Sequence, residues 1–155
     1  MRLDKKLANL LNSNRQTLAI AESCTGGLLC NRLTDIPGSS AFFWLGIIAY
    51  DYAAKVKTLN VPAAILKKYG AVSPQVASRM AENVRKILNT DYGIAITGIA
   101  GPTGATKTKP LGLVFIAVCN RHHTTVTKFH FKGGRLAVKT QAANAALICL
   151  VQRMK

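Results

Sequence analysis

The stretch Thr17-Leu18-Ala19-Ile20-Ala21, followed at once by Glu22-Ser23-Cys24-Thr25-Gly26-Gly27, reads as a buried strand that stops on a polar turn closed by paired glycines. A helix through about Thr34 follows, with Leu28, Leu29 and Leu33 on its buried side. A strand entering a helix through a tight polar turn is the opening of an α/β fold. Open sheets of this kind place ligands at the carboxyl ends of their strands.

The rest of the chain repeats the pattern on either side. Leu3, Leu7, Leu10 and Leu11 give a short amphipathic helix before the strand, over residues 3 to 14. Asp35-Ile36-Pro37-Gly38 is a stop, after which Ser39 or Ser40 is expected to cap a short helix containing Phe42, Phe43 and Trp44. An apolar run over 45 to 50, ending at Tyr50, is the next strand. Residues 52 to 58 read as helix, Pro62 as the first position of another, and Ser73-Pro74 as the start of a longer one striped by Val76, Met80, Val84, Ile87 and Leu88. Strands are expected at 92 to 97, 111 to 119 and 124 to 131. Arg121-His122-His123 suits a hairpin between the last pair. Gly133-Gly134 then leads into a helix to about residue 152, with Leu136, Ala142, Ala143, Ala146, Leu147 and Leu150 on its apolar side. The expectation is a single domain over residues 1–155, a three-layer α/β/α sandwich around a mixed, mostly parallel sheet.

Composition narrows the class. The chain has 155 residues, enough for one substantial core, and 49% of them are hydrophobic, which argues against disorder. No apolar run is long enough to span a membrane, and the start Met1-Arg2-Leu3-Asp4-Lys5-Lys6 does not read as a signal peptide. Cys24, Cys30, Cys119 and Cys149 form no CxxC pair, and His122, His123 and His130 make a poor metal set. No metal or cofactor is expected, and a reducing, cytoplasmic compartment suits the cysteines.

Lys and Arg number 21 against 6 Asp and Glu, a formal net charge of +15 that favours anionic partners. The charges are spread along the chain. Lys5, Lys6, Lys67, Lys68, Arg85 and Lys86 look like solvated helix faces, and no aromatic-basic alternation or finger spacing marks a nucleic-acid reader.

Two loops carry chemistry. In Glu22–Gly27, Ser23 is a candidate nucleophile, although on the local pattern alone a helix cap by Ser23 or Thr25 is the plainer reading, and the G-x-S-x-G elbow is absent. The glycines permit close backbone approach, and amides there suit a phosphate or an oxyanion. The second loop, Thr97-Gly98-Ile99-Ala100-Gly101-Pro102-Thr103-Gly104-Ala105 and on to Lys109-Pro110-Leu111-Gly112, also follows a strand. It fails the Walker A pattern because Thr106 stands where glycine is required. Lys55 lies just beyond the strand ending at Tyr50. Most such lysines face water, but one held in a dry cleft loses its proton readily and can serve as a base for Ser23.

Together, Ala21–Gly27, Asp35-Ile36-Pro37-Gly38-Ser39-Ser40-Ala41-Phe42-Phe43, Gly70-Ala71-Val72-Ser73, Thr97–Pro102 and Lys109–Gly112 make the chain resemble the CinA C-terminal domain family over roughly residues 5 to 152. Its stand-alone members include nicotinamide-nucleotide amidases, which convert nicotinamide mononucleotide to nicotinate mononucleotide and ammonia in pyridine nucleotide salvage. The resemblance implies Ser23 as nucleophile, Lys55 as its base, Tyr50 beside Lys55, and Arg135 for phosphate recognition. Thr25, Gly26, Gly27, Thr97, Gly98, Ala100 and Gly101 are the expected substrate-binding positions. The oxyanion is expected beside Gly26-Gly27 or in the Gly98 to Gly101 loop. Self-association as a homo-oligomer is a further implication.

The chain departs from the family pattern in places. Its Y-S-N-E-A-K stretch is Tyr50-Asp51-Tyr52-Ala53-Ala54-Lys55, a usual glycine pair is Leu45-Gly46, Ala105 replaces a glycine, and Gly134 replaces an aspartate before Arg135. These changes leave a second reading beside the amidase, a catalytically weakened relative that binds a nucleotide or a partner, and the +15 charge leaves a third, a basic nucleic-acid-binding protein.

Overall fold

Leu18–Glu22 forms β1, and every residue of it is buried. It sits inside the sheet, with parallel β2 (Phe43–Ile48) on one side and parallel β3 (Tyr92–Gly98) on the other. β4 (Leu113–Cys119) and β5 (Thr124–His130) continue the sheet antiparallel, giving the order β2-β1-β3-β4-β5. The computed structural model describes residues 2–154.

The helices are α1 (Leu3–Ser13), α2 (Leu28–Thr34), α3 (Tyr52–Leu59), α4 (Ala63–Tyr69), α5 (Pro74–Leu88) and α6 (Arg135–Arg153). The alternation within β1 explains the two outer layers. Leu18 and Ile20 point to one face, where they pack with Leu7 and Leu11 of α1, Leu29 and Leu33 of α2, and Leu147 and Leu150 of α6. Ala19 and Ala21 point to the other, with Leu59 of α3, Leu66 of α4, and Val76, Met80 and Val84 of α5. Small residues on that second face let α5 lie close to the sheet. A Cβ on Gly93 would stand 2.3 Å from the Ala81 carbonyl oxygen of α5, so only glycine fits there.

The α/β/α sandwich is as the sequence implies, but the sheet is evenly mixed rather than mostly parallel: two of its strand pairings are parallel and two antiparallel. The long 98 to 112 segment is not a crossover. It folds back on itself, with Gly112 N–H donating to Ile99 O and Ile99 N–H to Leu113 O, so β4 returns beside β3. Gly112 is required at this closure, because its φ is +82° and a Cβ would lie 1.9 Å from the Phe131 oxygen.

Other expectations need correction. The serines cap no helix: Ser39–Ala41 is a single 3₁₀ turn entered through Gly38, and Phe43 and Trp44 begin β2. Pairing with buried β1 overrides the local helical look of this stretch, because Leu18 N–H donates to Phe42 O. β2 therefore ends at Ile48, ahead of Tyr50. β4 starts at Leu113 rather than residue 111. Pro62 is the cap of α4 rather than its first residue. Leu136 is exposed, and Ile87 and Leu88 are half exposed at the end of α5. Arg85 is buried rather than solvated, its Nη1 donating to Thr90 O at 3.0 Å. Among the described residues, no helix is long and apolar enough to cross a membrane.

Candidate active site

The carboxyl ends of β1 and β3, the start of α3 and the first turn of α6 enclose a cavity of about 300 Å³. Its position follows from the turn after β1. The Glu22 side chain, fully buried, accepts hydrogen bonds from the amides of Gly27 (3.0 Å), Leu29 (3.2 Å) and Cys30 (2.7 Å). A carboxylate thus caps α2 from beneath, where the helix dipole favours negative charge. This fixes the intervening turn, and Ser23 N–H extends the β1–β3 ladder by donating to Ile96 O at 3.0 Å.

Glu22→Ala is expected to destabilise the fold by about 3 kcal/mol, because it leaves three helix-start amides without their charged acceptor. For a domain of this size that lowers the melting temperature by about 6–12 °C. A thermal melt of the variant checks it.

Lys55 reaches Ser23 from α3. Asp51 starts that helix, its carboxylate accepting from the Ala53 amide at 2.7 Å. Lys55 follows one turn later and is only 1% exposed. Its Nζ lies 2.9 Å from Ser23 Oγ, 2.7 Å from Ala49 O and 3.3 Å from Tyr50 O. Burial pushes its pKa down to about 8, opposed in part by the charge of Asp51. The neighbouring Cys24 thiol is pushed up to about 12 by burial and stays protonated.

The three oxygens around Nζ serve both protonation states. An ammonium donates to all of them. A neutral amine can give its two N–H groups to the Ala49 and Tyr50 carbonyls and turn its lone pair to the Ser23 hydroxyl.

Tyr50 meets Lys55 through its main chain and not its ring. The phenol is 57% exposed and accepts from Arg135 Nη2 at 2.6 Å. Arg135 Nη1 donates to Gly101 O at 2.9 Å, so the guanidinium bridges the two sides of the mouth. Thr97 Oγ1 donates to Ala71 O at 2.9 Å, while the Ala71 amide donates to the Tyr52 hydroxyl at 3.0 Å. Tyr52, one of the departures noted above, therefore braces the cavity wall without touching the Ser23–Lys55 pair.

Of the residues singled out in the sequence, Ser23, Lys55, Tyr50, Thr97, Gly98, Ala100, Gly101 and Arg135 line this one cavity. Thr25, Gly26 and Gly27 lie outside its wall. Thr25 is fully buried. The Gly26 amide donates to Ser23 O, and that of Gly27 to Glu22. Among the described residues, the amides of Cys24, Ala100 and Gly101, all on the wall, have no backbone acceptor. Motif spacing passes over Glu22, Tyr52 and the Ala49 carbonyl. Glu22 alone has a readable signal, a carboxylate ending an otherwise apolar strand. The carbonyl is invisible to side-chain patterns.

A family model described as the CinA C-terminal domain matches residues 1–154. A CinA-like protein of Syntrophus aciditrophicus is 50% identical over 149 residues, covering 96% of this chain and 36% of that protein. One of Geobacter sulfurreducens is 43% identical over 152 residues, covering 98% of this chain and 37% of that protein. The chain thus spans just over a third of the length of these curated relatives. Among solved structures, a CinA superfamily protein from Klebsiella pneumoniae matches with a TM-score of 0.95 at 32% identity, covering 98% of this chain and 95% of that one. A competence/damage inducible protein, CihA, from Agrobacterium tumefaciens matches at 0.94 and 34%, covering 97% and 92%. With residues 1–154 matched and the fold shared throughout, the chain belongs to the CinA C-terminal domain family.

Proposed function

We propose that the protein hydrolyses the carboxamide of nicotinamide mononucleotide, giving nicotinate mononucleotide and ammonia, with Ser23 as nucleophile and Lys55 as base. The observation that carries this reading is the 2.9 Å contact between Lys55 Nζ and Ser23 Oγ in a buried setting that opens onto a cavity.

Neutral Lys55 takes the Ser23 proton as Oγ attacks the carboxamide carbon. The oxygen of the tetrahedral intermediate is met by the free amides of Cys24, Ala100 or Gly101. Collapse breaks the C–N bond, and the Lys55 ammonium returns the proton to the departing nitrogen, which leaves as ammonia. Water then attacks the acyl ester, losing a proton to Lys55, and Ser23 recovers its hydrogen as nicotinate mononucleotide departs. The substrate phosphate is assigned to Arg135, held at the mouth by Gly101 O and Tyr50 Oη with further N–H groups to spare. The Tyr52 hydroxyl bonds the Ala71 amide and a Cβ at Gly134 would meet nothing within 4 Å, so neither departure breaks the Ser23–Lys55 contact, which favours an active member over a weakened one.

Ammonia release from a panel of pyridine nucleotides tests the proposal. Turnover of nicotinamide mononucleotide well above that of the nucleoside lacking the phosphate is expected. No ammonia from any member of the panel would refute it.

A further inference from the structure

The sheet has a second cleft at its other end, where α5 finishes and the β4–β5 hairpin turns. β3 runs between the two sites, and its seven residues put them about 20 Å apart. The cleft is about 220 Å³ and is lined by Arg85, Lys86, Asn120, Arg121, His122 and His123, with Glu82 and Thr124 on one side.

Its parts are held in place. Arg85 is only 8% exposed, and its Nη1 donates to the Thr90 carbonyl, whose own Oγ1 donates to Tyr92 O. Asn120 Oδ1 accepts from both the His122 and His123 amides at 2.9 Å, which locks the hairpin and presents Arg121 and both imidazoles at its tip. Glu82 is the one carboxylate in the lining, and its oxygens are already engaged: it accepts from Ser78 Oγ at 2.8 Å and from the neighbouring Thr124 Oγ1 at 2.9 Å, and pairs with Arg79 at 3.4 Å.

Lys86 complements the C-terminal dipole of α5 in its last turn, but that does not account for Arg121 and two histidines converging on it from a different element. Like charges gathered in a concave site repel one another unless an anion is drawn in.

We infer that this cleft binds a small, fully hydrophilic polyanion of the inorganic phosphate or diphosphate class. The lining contains no aliphatic side chain of the Leu, Ile or Val kind, so nothing in it would hold a lipid tail. Its volume suits one or two phosphoryl groups rather than a nucleotide. Arg85 supplies a fixed donor at the base, and Lys86 and Arg121 close from two sides.

The test is isothermal titration of inorganic diphosphate into the whole chain at constant ionic strength. Arg121→Ser and Lys86→Ser, both at exposed positions, are each expected to weaken binding roughly tenfold or more. Arg135→Ser removes any diphosphate held at the other cavity, and the binding that remains in it is expected to be the binding that Arg121→Ser and Lys86→Ser weaken. Binding lost only in Arg135→Ser would overturn the inference by placing the anion in the candidate active site. So would the absence of saturable binding, binding insensitive to Arg121→Ser, or a single-stranded oligonucleotide that displaces diphosphate at far lower concentration. Because the readout is binding and not turnover, it stands or falls independently of the amidase proposal.

Discussion

On the proposed mechanism, Ser23→Ala is expected to lower ammonia release from nicotinamide mononucleotide by a factor of about 10⁴ or more, the loss that follows when a covalent nucleophile is deleted from a pair that works as a unit. The fold survives the change. Ser23 is buried, but its hydroxyl oxygen accepts one hydrogen bond, from Lys55 Nζ, so the stability loss is about 1 kcal/mol. Glu22 still caps α2, and the Ser23 amide still donates to Ile96 O. Activity assayed beside a thermal melt separates the two effects. A variant that melts like the parent and retains its rate removes the covalent mechanism.

On the same mechanism, Lys55→Met is expected to lower the rate by about 10³ to 10⁴, the upper part of the range for losing a positioned base. Two opposing terms act on its stability. Methionine ends the cost of burying an amine, while the Ala49 and Tyr50 carbonyls lose their donor. The net change is expected to stay within about 2 kcal/mol. Lys55→Arg discriminates between roles. Guanidinium keeps a positive charge beside Ser23 but never deprotonates in the working range, so it does not rescue a base. Rescue by arginine would point to a charge that merely positions the serine.

The same residue fixes the pH dependence. Burial moves Lys55 down to about 8, and only its neutral form accepts the Ser23 proton. Raising the pH is therefore expected to raise the rate of the proposed reaction, about tenfold per unit below 8, with a plateau above it, as a pH–rate profile would read.

Much of this is written in the sequence. Apolar runs announce β1, β3 and β4 because these strands are buried along nearly their whole length, and β5 is legible as the partner across the Arg121-His122-His123 turn. β2 is an edge strand with alternating burial, and serines ahead of a run of aromatics imitate a capped helix, so its start becomes visible only through pairing with Leu18. The direction of β4 is hidden for another reason. A glycine-rich loop from 98 to 112 carries no side-chain pattern that sets its path, and what turns it back is main-chain bonding among Ile99, Gly112 and Leu113. At the site, Ser23 and Lys55 are legible as residue types. Their meeting is not, since it depends on α3 starting at Asp51 and on a carbonyl at Ala49.

The account rests on an amine that is uncharged often enough to deprotonate a serine. NMR titration of the protein with ¹³C-labelled lysine side chains measures that directly. The expected result is a resonance that titrates near 8, vanishes in Lys55→Met and shifts in Ser23→Ala. Every lysine titrating above about 10, at the value of a solvated side chain, would contradict it.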